Sequence, residues 1–369
     1  MFNPMSNDLT PYQQRAIQTV RNRAIDLGNA AHSEIAAILQ RQALDAGLVD
    51  AALAAMRTGA RIGLHFHPER LSRDGVSVAE GLLRSGVYTN QFVAGLSSGS
   101  PSAFPGGERD LWEERLFGGA YHGADVTSPG RPKYGALDIM QYPDGPAPRF
   151  GSCFFLLRPD VAKRSTFTFG GSHEYCALER TGTLDVMAPV LAPLLSQLER
   201  GDGAFAVANL SVEGCLARMT RSFSMPFPDP ASRPLGRALD SFVEVQVHGE
   251  LRLRNDVERL VADPAFRDHP VGETLAAIST TYGIPLNWHP GYRIPVREVP
   301  DIFRDFPVRS LAERIAGDGM LDAANIGAAA NSAKLDPKAW REWASDDDVL
   351  TQFRRLWHVL VLTGAPRRA

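Results

Sequence analysis

The spacing of hydrophobic and polar positions divides the chain into helical ends and a β-rich middle. From residue 10 to Met56, alanine and leucine recur with helical spacing, after a start at Thr10 and Gln13 that has the form of a capping box. Gly28 and Gly47 interrupt this pattern. We therefore expect the first part of the chain to be helical, with breaks at these two glycines.

The middle of the chain, residues 60–250, has short β-type runs separated by turns rich in Gly, Pro and Ser. The predicted strands are Arg61–Phe66, Tyr134–Met140, Ser152–Leu157, Thr166–Phe169, Ala204–Asn209 and Phe242–His248. Two helices are predicted among them. The first, Val78–Ser85, starts with a capping box at Ser77 and ends at Gly86, and the second covers Arg109–Phe117.

Helical spacing returns after residue 254. The predicted helices are Asn255–Ala262, Glu273–Tyr282, Ser310–Ile315, Lys338–Ala344 and Val349–Leu362. The pattern as a whole predicts an α+β fold, in which an N-terminal helical region (1–58) and a C-terminal helical region (253–369) flank a core (59–252).

Composition narrows the function classes. The 369 residues carry 39 Lys+Arg and 42 Asp+Glu, a formal net charge of −3, so there is no basic surplus for nucleic-acid binding. The three cysteines are odd in number and widely spaced, which fits a reducing compartment. No apolar run reaches the ~18 residues of a membrane helix, and the first residues do not resemble a signal peptide. We expect neither a nucleic-acid partner nor a membrane partner.

Two of the predicted strands place unusual polar residues on one face. Alternation along residues 61–67 points three apolar side chains inward and turns the other face to Gly63, His65 and His67. Along residues 242–248 three valines point inward, and the other face carries Phe242, Glu244, Gln246 and His248. A solvated strand face remains an alternative for either segment alone, but together the two faces favour the walls of a cleft.

One chemistry compatible with these residues is metal-dependent hydrolysis. Two histidines at alternate positions of a strand end, His65 and His67, can aim two imidazoles at one metal ion. Further ligands would have to come from Asp138, His122, His173, His248 and His289. The alternation of strands and helices that would build a metallohydrolase barrel is absent from the sequence pattern.

Several segments resemble an uncharacterised bacterial family that is known as a domain of unknown function. The resemblance rests on LHFHPER, EGLLRSGVYTNQFVAGLSSG, GGERDLWEERLFGGAYHG, RPKYGAL, RFGSCFFLLRP and VEVQVHG, and it runs from LTPYQQRA to WHPG at residues 288–291. It brings no established chemistry with it.

The order of these elements is also similar to that of ADP-ribosyltransferases of the His-Tyr-Glu type. That resemblance implies an ADP-ribosyltransferase-like split-sheet core, with a histidine on the first strand, a short helix, a tyrosine and a late catalytic glutamate. The glutamate would be Glu244 and the tyrosine Tyr134, while either His65 or His67 would be the histidine. Pro68 and Glu69 stand where the family has Gly and Thr or Ser, and Phe242 replaces the first acid of the Glu-x-Glu signature of arginine-modifying toxins.

The resemblance also implies roles for individual residues. Breaking the bond between ribose and nicotinamide in NAD creates an oxocarbenium-like ribose, which a nearby carboxylate such as Glu244 stabilises. Gln246 would orient the acceptor or the carboxylate. The expected NAD-binding residues are His65, His67, Tyr88, Asn90, Gln91, Tyr134 and Ser152. Tyr134 as a core residue, Ser152 as a turn residue, and Tyr88, Asn90 and Gln91 as loop hydrogen-bonders are the structural alternatives.

The resulting hypothesis is a mono-ADP-ribosyltransferase that uses NAD as substrate and needs no metal. Its partner would be a protein acceptor, with host ubiquitin as one example. The resemblance implies either a bacterial cytoplasmic protein or an effector toxin delivered into a host cell by a specialised secretion system. The alternatives are a metal-dependent hydrolase at His65 and His67, or a non-catalytic interaction protein.

Overall fold

A computed structural model describes residues 9–95, 103–341 and 346–367. The end of the EGLLRSGVYTNQFVAGLSSG segment lies outside these residues. In the described ranges, no helix is both long and apolar enough to cross a membrane.

The helices are numbered in chain order. They are α1 (Pro11–Arg41), α2 (Gly47–Gly59), α3 (Val78–Ser85), α4 (Gln91–Ala94), α5 (Glu108–Phe117), α6 (Ala188–Glu199), α7 (Val212–Ser224), α8 (Leu253–Asp256), α9 (Pro270–Tyr282), α10 (Val308–Ala316), α11 (Ala323–Leu335) and α12 (Asp346–Thr363).

The strands are numbered in the same way. They are β1 (Ile62–Phe66), β2 (Lys133–Leu137), β3 (Cys153–Leu157), β4 (Ser165–Phe169), β5 (Thr181–Thr183), β6 (Val243–Val247), β7 (Val257–Ala262), β8 (Leu286–Trp288), β9 (Arg293–Pro295), β10 (Ile302–Phe303), β11 (Phe306–Pro307) and β12 (Met320–Asp322).

The fold is mixed α/β and is built around a central eight-stranded mixed sheet. Its order is β5-β4-β6-β2-β1-β3-β7-β8, and all neighbours are antiparallel except the parallel pair β7 and β8. Two further two-stranded sheets, β10-β11 and β12-β9, lie in the C-terminal part.

One face of the sheet packs on helices to form the main hydrophobic core. Leu64 and Val245 are fully buried there, in the same cluster as Met56 of α2, Leu195 of α6 and Met219 of α7. The predicted inward faces of β1 and β6 are therefore confirmed. The opposite face carries the polar side chains considered below.

Local sequence signals gave several elements correctly. Five of the six strands predicted in the middle region form, with ends that differ by at most three residues. Ser77 caps α3 by accepting a hydrogen bond from the Glu80 backbone amide, and Gly86 ends the helix with a φ of 66°. The predicted strand Ala204–Asn209 is wrong, because this segment forms only an isolated bridge between Ala204 and Val207.

The break predicted at Gly28 is also wrong, because α1 runs through this residue. A glycine inside a helix costs about 1 kcal/mol relative to alanine, and packing along α1 offsets that cost because Val20, Ala24, Gly28 and Ile35 are all buried. The break near Gly47 is confirmed, since α2 begins there.

The largest error concerns residues 255–262, which were predicted to form a helix. They form the end of α8 and the strand β7, which lies between β3 and β8 in the sheet. In so short a segment the apolar positions fit a strand and a helix alike, so periodicity cannot separate the two. The main sheet thus continues past residue 252, and the pattern also gave no indication of α6, α7 and α11.

The other predicted C-terminal helices correspond to α9, α10 and α12. The Lys338–Ala344 prediction meets a 3₁₀ turn at Pro337–Trp340, and residues 342–345 lie outside the described part.

Candidate functional site

Three neighbouring strands bring the predicted catalytic residues onto one face of the sheet. Tyr134 of β2 lies opposite Gln246 of β6, and Ala136 of β2 lies between Glu244 of β6 and Gly63 of β1. Residues directly opposite each other in an antiparallel pair share a face. Tyr134, Glu244 and Gln246 therefore belong to one surface, which we call the Glu244 cluster.

Glu244 is nearly buried, with 9% of its surface exposed. Its Oε1 accepts a hydrogen bond from Gln246 Nε2 at 2.9 Å and another from the Ser172 backbone amide at 3.2 Å. Among the described residues, no arginine, lysine or histidine forms an ion pair with this carboxylate. Glu244 is thus a fixed carboxylate that is not paired with a cation from the described part of the chain.

Gln246 is completely buried, and its amide group is fully engaged. Its Nε2 donates to Glu244 and to Thr168 Oγ1, and its Oε1 accepts from Thr166 Oγ1 at 2.7 Å. A buried side chain with these partners cannot reach an acceptor molecule. The geometry favours the expected role of orienting the carboxylate over the role of orienting the acceptor.

Tyr134 is half-buried and is held on two sides. Its hydroxyl donates to Glu113 Oε1 at 2.9 Å, and the Arg109 guanidinium lies 4.4 Å from the centre of its ring. Burial raises the pKa of Glu113 to about 7, although Arg131, which donates to Glu113 Oε2 at 2.8 Å, lowers it. Arg109 therefore occupies one face of the ring, and a stacking ligand would use the other.

Sequence reasoning did not identify Arg109, Glu113 and Arg131, which hold Tyr134 of this cluster in place directly or through Glu113. Arg109 and Glu113 are four residues apart in α5, so they project from the same side of the helix. That spacing was readable in GGERDLWEERLF, but the side of α5 that faces β2 was not.

His65 is buried and both of its ring nitrogens have partners. Nδ1 lies 3.1 Å from the Gly151 carbonyl oxygen, and Nε2 accepts from the Ala147 backbone amide at 3.2 Å. Burial lowers the pKa of His65 to about 3, so the ring is neutral with its proton on Nδ1. A ligand could bind either nitrogen only by displacing one of these bonds.

His67 lies beyond the end of β1 and faces a large cavity. Its ring packs edge-to-face on Trp357 with 5.2 Å between ring centres, and its Nδ1 lies 3.6 Å from Glu69 Oε1. Burial, together with the nearby charge of Arg70, lowers its pKa well below the usual range. Of the two candidate histidines, His67 is the one with a ring nitrogen less tightly engaged.

The cavity has a volume of about 980 Å³. It lies between the segment from β1 to α4 on one side and helices α11 and α12 on the other. Tyr88, Asn90 and Gln91 line it, as do the aromatic residues Phe150, Trp340 and Trp357.

The three predicted polar residues of this wall differ in availability. The Asn90 side chain is fully used in hydrogen bonds to backbone groups. It caps α4 and donates to the carbonyl oxygens of Ser128 and Arg131. The Tyr88 hydroxyl donates to the His65 carbonyl oxygen at 3.3 Å. Gln91 Oε1 is buried and has no hydrogen-bond partner within the described residues. The structure therefore agrees with the loop alternative for Asn90.

The cavity lining is strongly cationic. Arg70, Arg73, Arg149, Lys334 and Arg354 line it, whereas Asp74 is the one acidic residue among the described residues of the lining. Most of these cations have partners: Arg149 pairs with Asp240 at 2.9 Å, and Lys334 Nζ donates to two backbone carbonyl oxygens. Arg70 Nε and Arg354 Nε are both buried without a hydrogen-bond partner in the described ranges, but Arg70 Nε lies 3.4 Å from Glu69 Oε1, whereas Arg354 forms no such ion pair there.

The cavity and the Glu244 cluster are adjacent but separate. Phe150 of the cavity packs edge-to-face on Phe242, with 5.5 Å between ring centres, and Phe242 directly precedes β6. In the part of the chain that the structure describes, Tyr134, Glu244 and Gln246 do not line the cavity. Ser152 is buried and lies outside this lining too; its carbonyl oxygen accepts from His289.

Three of the residues considered for a metal site have hydrogen-bond or ion-pair partners of their own. His289 Nδ1 accepts from the Gly291 backbone amide, and His122 Nε2 lies 3.0 Å from Asp110. Asp138 accepts from the Gln141 backbone amide, and burial raises the pKa of Asp138 to about 7. The structure brings together no group of three or more His, Cys, Asp and Glu side chains suited to a metal ion, as far as the described residues go.

Comparison with known families adds one finding. A family model described as a protein of unknown function (DUF3626) matches residues 61–362, so the chain belongs to that family. The match covers the whole main sheet and the helices that close the cavity. No curated protein matches the chain.

Proposed function

We propose that this member of the DUF3626 family is a mono-ADP-ribosyltransferase that moves ADP-ribose from NAD to a protein acceptor. The observation that carries the proposal is the environment of the Glu244 carboxylate. This carboxylate is held in place by Gln246 and a backbone amide, next to the strand of Tyr134, and has no cation paired with it among the described residues.

Such a carboxylate suits the chemistry of NAD cleavage. The bond between ribose C1′ and the nicotinamide nitrogen breaks, and nicotinamide leaves with the electron pair. The oxocarbenium-like ribose then forms a new bond from C1′ to a nucleophilic atom of the acceptor, which loses a proton. A fixed negative charge beside C1′ stabilises this transition state most where water is excluded, and Glu244 is nearly buried.

The cavity has the properties that the rest of NAD requires. Its volume lies at the upper end of the roughly 300–1,000 Å³ typical of small-molecule sites. Arginine binds phosphate oxygens in bidentate geometry, so Arg354, whose buried Nε has no hydrogen-bond partner among the described residues, is suited to the diphosphate. Trp340, Trp357 and Tyr88 offer aromatic surface for the rings. We assign the ribose-binding role to His67, because both nitrogens of His65 are engaged.

The arrangement of elements supports the resemblance to His-Tyr-Glu transferases. The strands that carry Glu244, Tyr134 and His65 are consecutive neighbours in the order β6-β2-β1, and the short helix α3 follows β1. An ADP-ribosyltransferase-like core that spans this part of the sheet is part of the proposal.

The test is transfer of label from NAD. Wild-type protein is incubated with labelled NAD and either a eukaryotic lysate or purified ubiquitin, and nicotinamide release is measured in parallel. We expect labelled acceptor with wild type and a loss of about 100–1,000-fold in rate for Glu244→Gln, which removes the charge and keeps the shape.

The matched control is Glu250→Gln, which removes an exposed carboxylate six residues further along the same chain segment. It should retain wild-type activity. Absence of both label and nicotinamide release with the wild-type protein would overturn the proposal, as would equal activity of Glu244→Gln and wild type.

A further inference from the structure

A buried chain of hydrogen bonds runs along the polar face of β4 and β6 and ends at Glu244. We propose that Tyr121, His248 and Thr166 are positioning residues for Glu244, which act through Gln246 by hydrogen bonds that all donate towards the carboxylate. This inference rests on the proposed function in so far as Glu244 is the reacting carboxylate.

The direction of the chain follows from Gln246. Its amide oxygen accepts from Thr166 Oγ1 at 2.7 Å, and its two amide hydrogens go to Glu244 Oε1 at 2.9 Å and to Thr168 Oγ1 at 3.1 Å. The reversed amide would place its oxygen against the carboxylate oxygen. The orientation of the Gln246 amide is therefore unique.

The Thr166 hydroxyl has a single hydrogen, which it donates in the hydrogen bond to Gln246 Oε1. Thr166 Oγ1 must then accept from its other neighbour, His248 Nε2, at 3.2 Å. A neutral imidazole with its proton on Nε2 has an acceptor at Nδ1, and Tyr121 Oη lies 2.6 Å from that atom. Each group thus donates to the next, from Tyr121 through His248, Thr166 and Gln246 to Glu244.

Burial keeps this chain in one state. Tyr121, Thr166, Gln246 and His248 are all fully buried, so water does not compete for their donors and acceptors. Burial also lowers the pKa of His248 to about 3, with Lys133 and Arg164 acting in the same direction, so the ring stays neutral near pH 7. Hydrogen bonds that point the same way in a low-dielectric interior polarise and strengthen one another.

A second series of hydrogen bonds, through Thr168 and Thr181, fixes the other amide hydrogen of Gln246. Thr181 Oγ1 donates to the Ala177 carbonyl oxygen at 2.6 Å, so it accepts from Thr168 Oγ1 at 2.8 Å. Thr168 in turn accepts from Gln246. Within the described residues, both hydrogen bonds to the Glu244 carboxylate reach Oε1, which assigns Oε2 to the reacting ribose.

The experiment compares two buried threonines. Thr166→Val removes the hydroxyl in the chain at nearly constant shape, and Thr166→Ser restores a hydroxyl. The control Thr183→Val changes a buried threonine of β5 whose hydroxyl donates to Asp185 instead. Thermal melting of each variant establishes that it is folded, and NAD cleavage is then measured as separate kcat and KM values.

We expect Thr166→Val to lower kcat about tenfold with KM for NAD within twofold, because a slightly displaced carboxylate weakens only the transition state. Thr166→Ser should recover most of kcat, and Thr183→Val should match wild type. Equal kcat values for folded Thr166→Val and Thr183→Val would overturn the positioning role.

A second measurement does not depend on NAD. The histidine ring nitrogens are observed by ¹⁵N NMR in wild type, and the His248 signal is assigned by its loss in His248→Gln. A neutral ring protonated on Nε2 supports the chain, whereas a proton on Nδ1 overturns it. Wild type that leaves NAD intact but shows the Nε2 tautomer would refute the proposed function and leave the chain as a device that orients Glu244 for another reaction.

Discussion

The Glu244 cluster and the cavity are both polar and largely buried, but they use their polar atoms differently. Around Glu244, hydrogen bonds of 2.6–3.2 Å link Tyr121, His248, Thr166, Gln246 and the carboxylate without a gap. In the cavity, Arg354 Nε and Gln91 Oε1 are buried without a partner in the described part of the chain.

This difference separates positioning from binding. A network whose donors and acceptors are all satisfied fixes one geometry, because any change of orientation would leave a buried polar group unpaired. In a cavity where cationic side chains outnumber carboxylates, some hydrogen-bond donors have no acceptor in the protein, and an anionic ligand can accept from them. We therefore expect substitutions at the cavity to change ligand affinity, and substitutions in the network to change the turnover rate or stability.

The largest expected effect that bears on this comparison is at Arg354. Arg354→Ala removes a charge-assisted hydrogen bond to a phosphate oxygen, which contributes about 1.5–3 kcal/mol and corresponds to a loss of about 10–100-fold in affinity. Calorimetric titration with ADP-ribose measures it. Arg355→Ala is the matched control, since Arg355 is the next residue of α12 and does not line the cavity. Equal losses in both variants would show that the cavity is not the anion site.

A smaller effect is expected for His248 in the hydrogen-bond network that ends at Glu244, and it concerns how the stability of the fold depends on pH. The pKa of His248 is lowered from 6.5 to about 3, so between these values the unfolded chain binds a proton that the folded chain does not. The contribution of His248 to stability is thus present above pH 6.5 and is lost as the pH falls towards 3, at about 1.4 kcal/mol per pH unit.

Denaturant unfolding at a series of pH values between 6.5 and 4 measures this slope. His248→Gln should make the dependence of the unfolding free energy on pH shallower by up to that amount. The exposed His173, substituted to Gln, controls for the loss of a histidine. If the unfolding free energy of His248→Gln depended on pH as steeply as that of wild type, water would reach the network. The network would then not differ from the cavity in its access to water.

The smallest effect is expected at the edge of the cavity. Ser77→Ala removes the N-cap of α3 and should cost about 1 kcal/mol of stability. Ser211→Ala removes the N-cap hydrogen bond of α7, on the core side of the sheet, at a similar cost. Ser77 lines the cavity, so only Ser77→Ala should also weaken ADP-ribose binding, by about twofold to fivefold. Equal ADP-ribose affinities of the two variants would show that the N-cap of α3 does not influence ligand binding in the cavity.

Part of the site was readable in the sequence. Alternation placed Glu244 and Gln246 on the same face of a strand, and the capping residues gave the bounds of α3 within a residue. These signals act between residues that are close in the chain, so they do not depend on the rest of the fold.

Other parts could not be read locally. His65 and His67 are equivalent in the pattern, but loop residues 147 and 151 fold over His65 and take both of its nitrogens. Residues 257–262 form a strand because they pair with β3 on one side and with β8 on the other.

The sequence by itself determined which side chains share a face and where the well-capped helices begin and end, because period and capping are local. Only the tertiary structure decided which polar atoms are satisfied and which face a cavity. Trp357 Nε1, for example, donates to the Pro148 carbonyl oxygen across 209 residues and so brings α12 and its arginines over the end of β1. Such contacts depend on the packing of elements far apart in the chain, for which neither periodicity nor capping carries a signal.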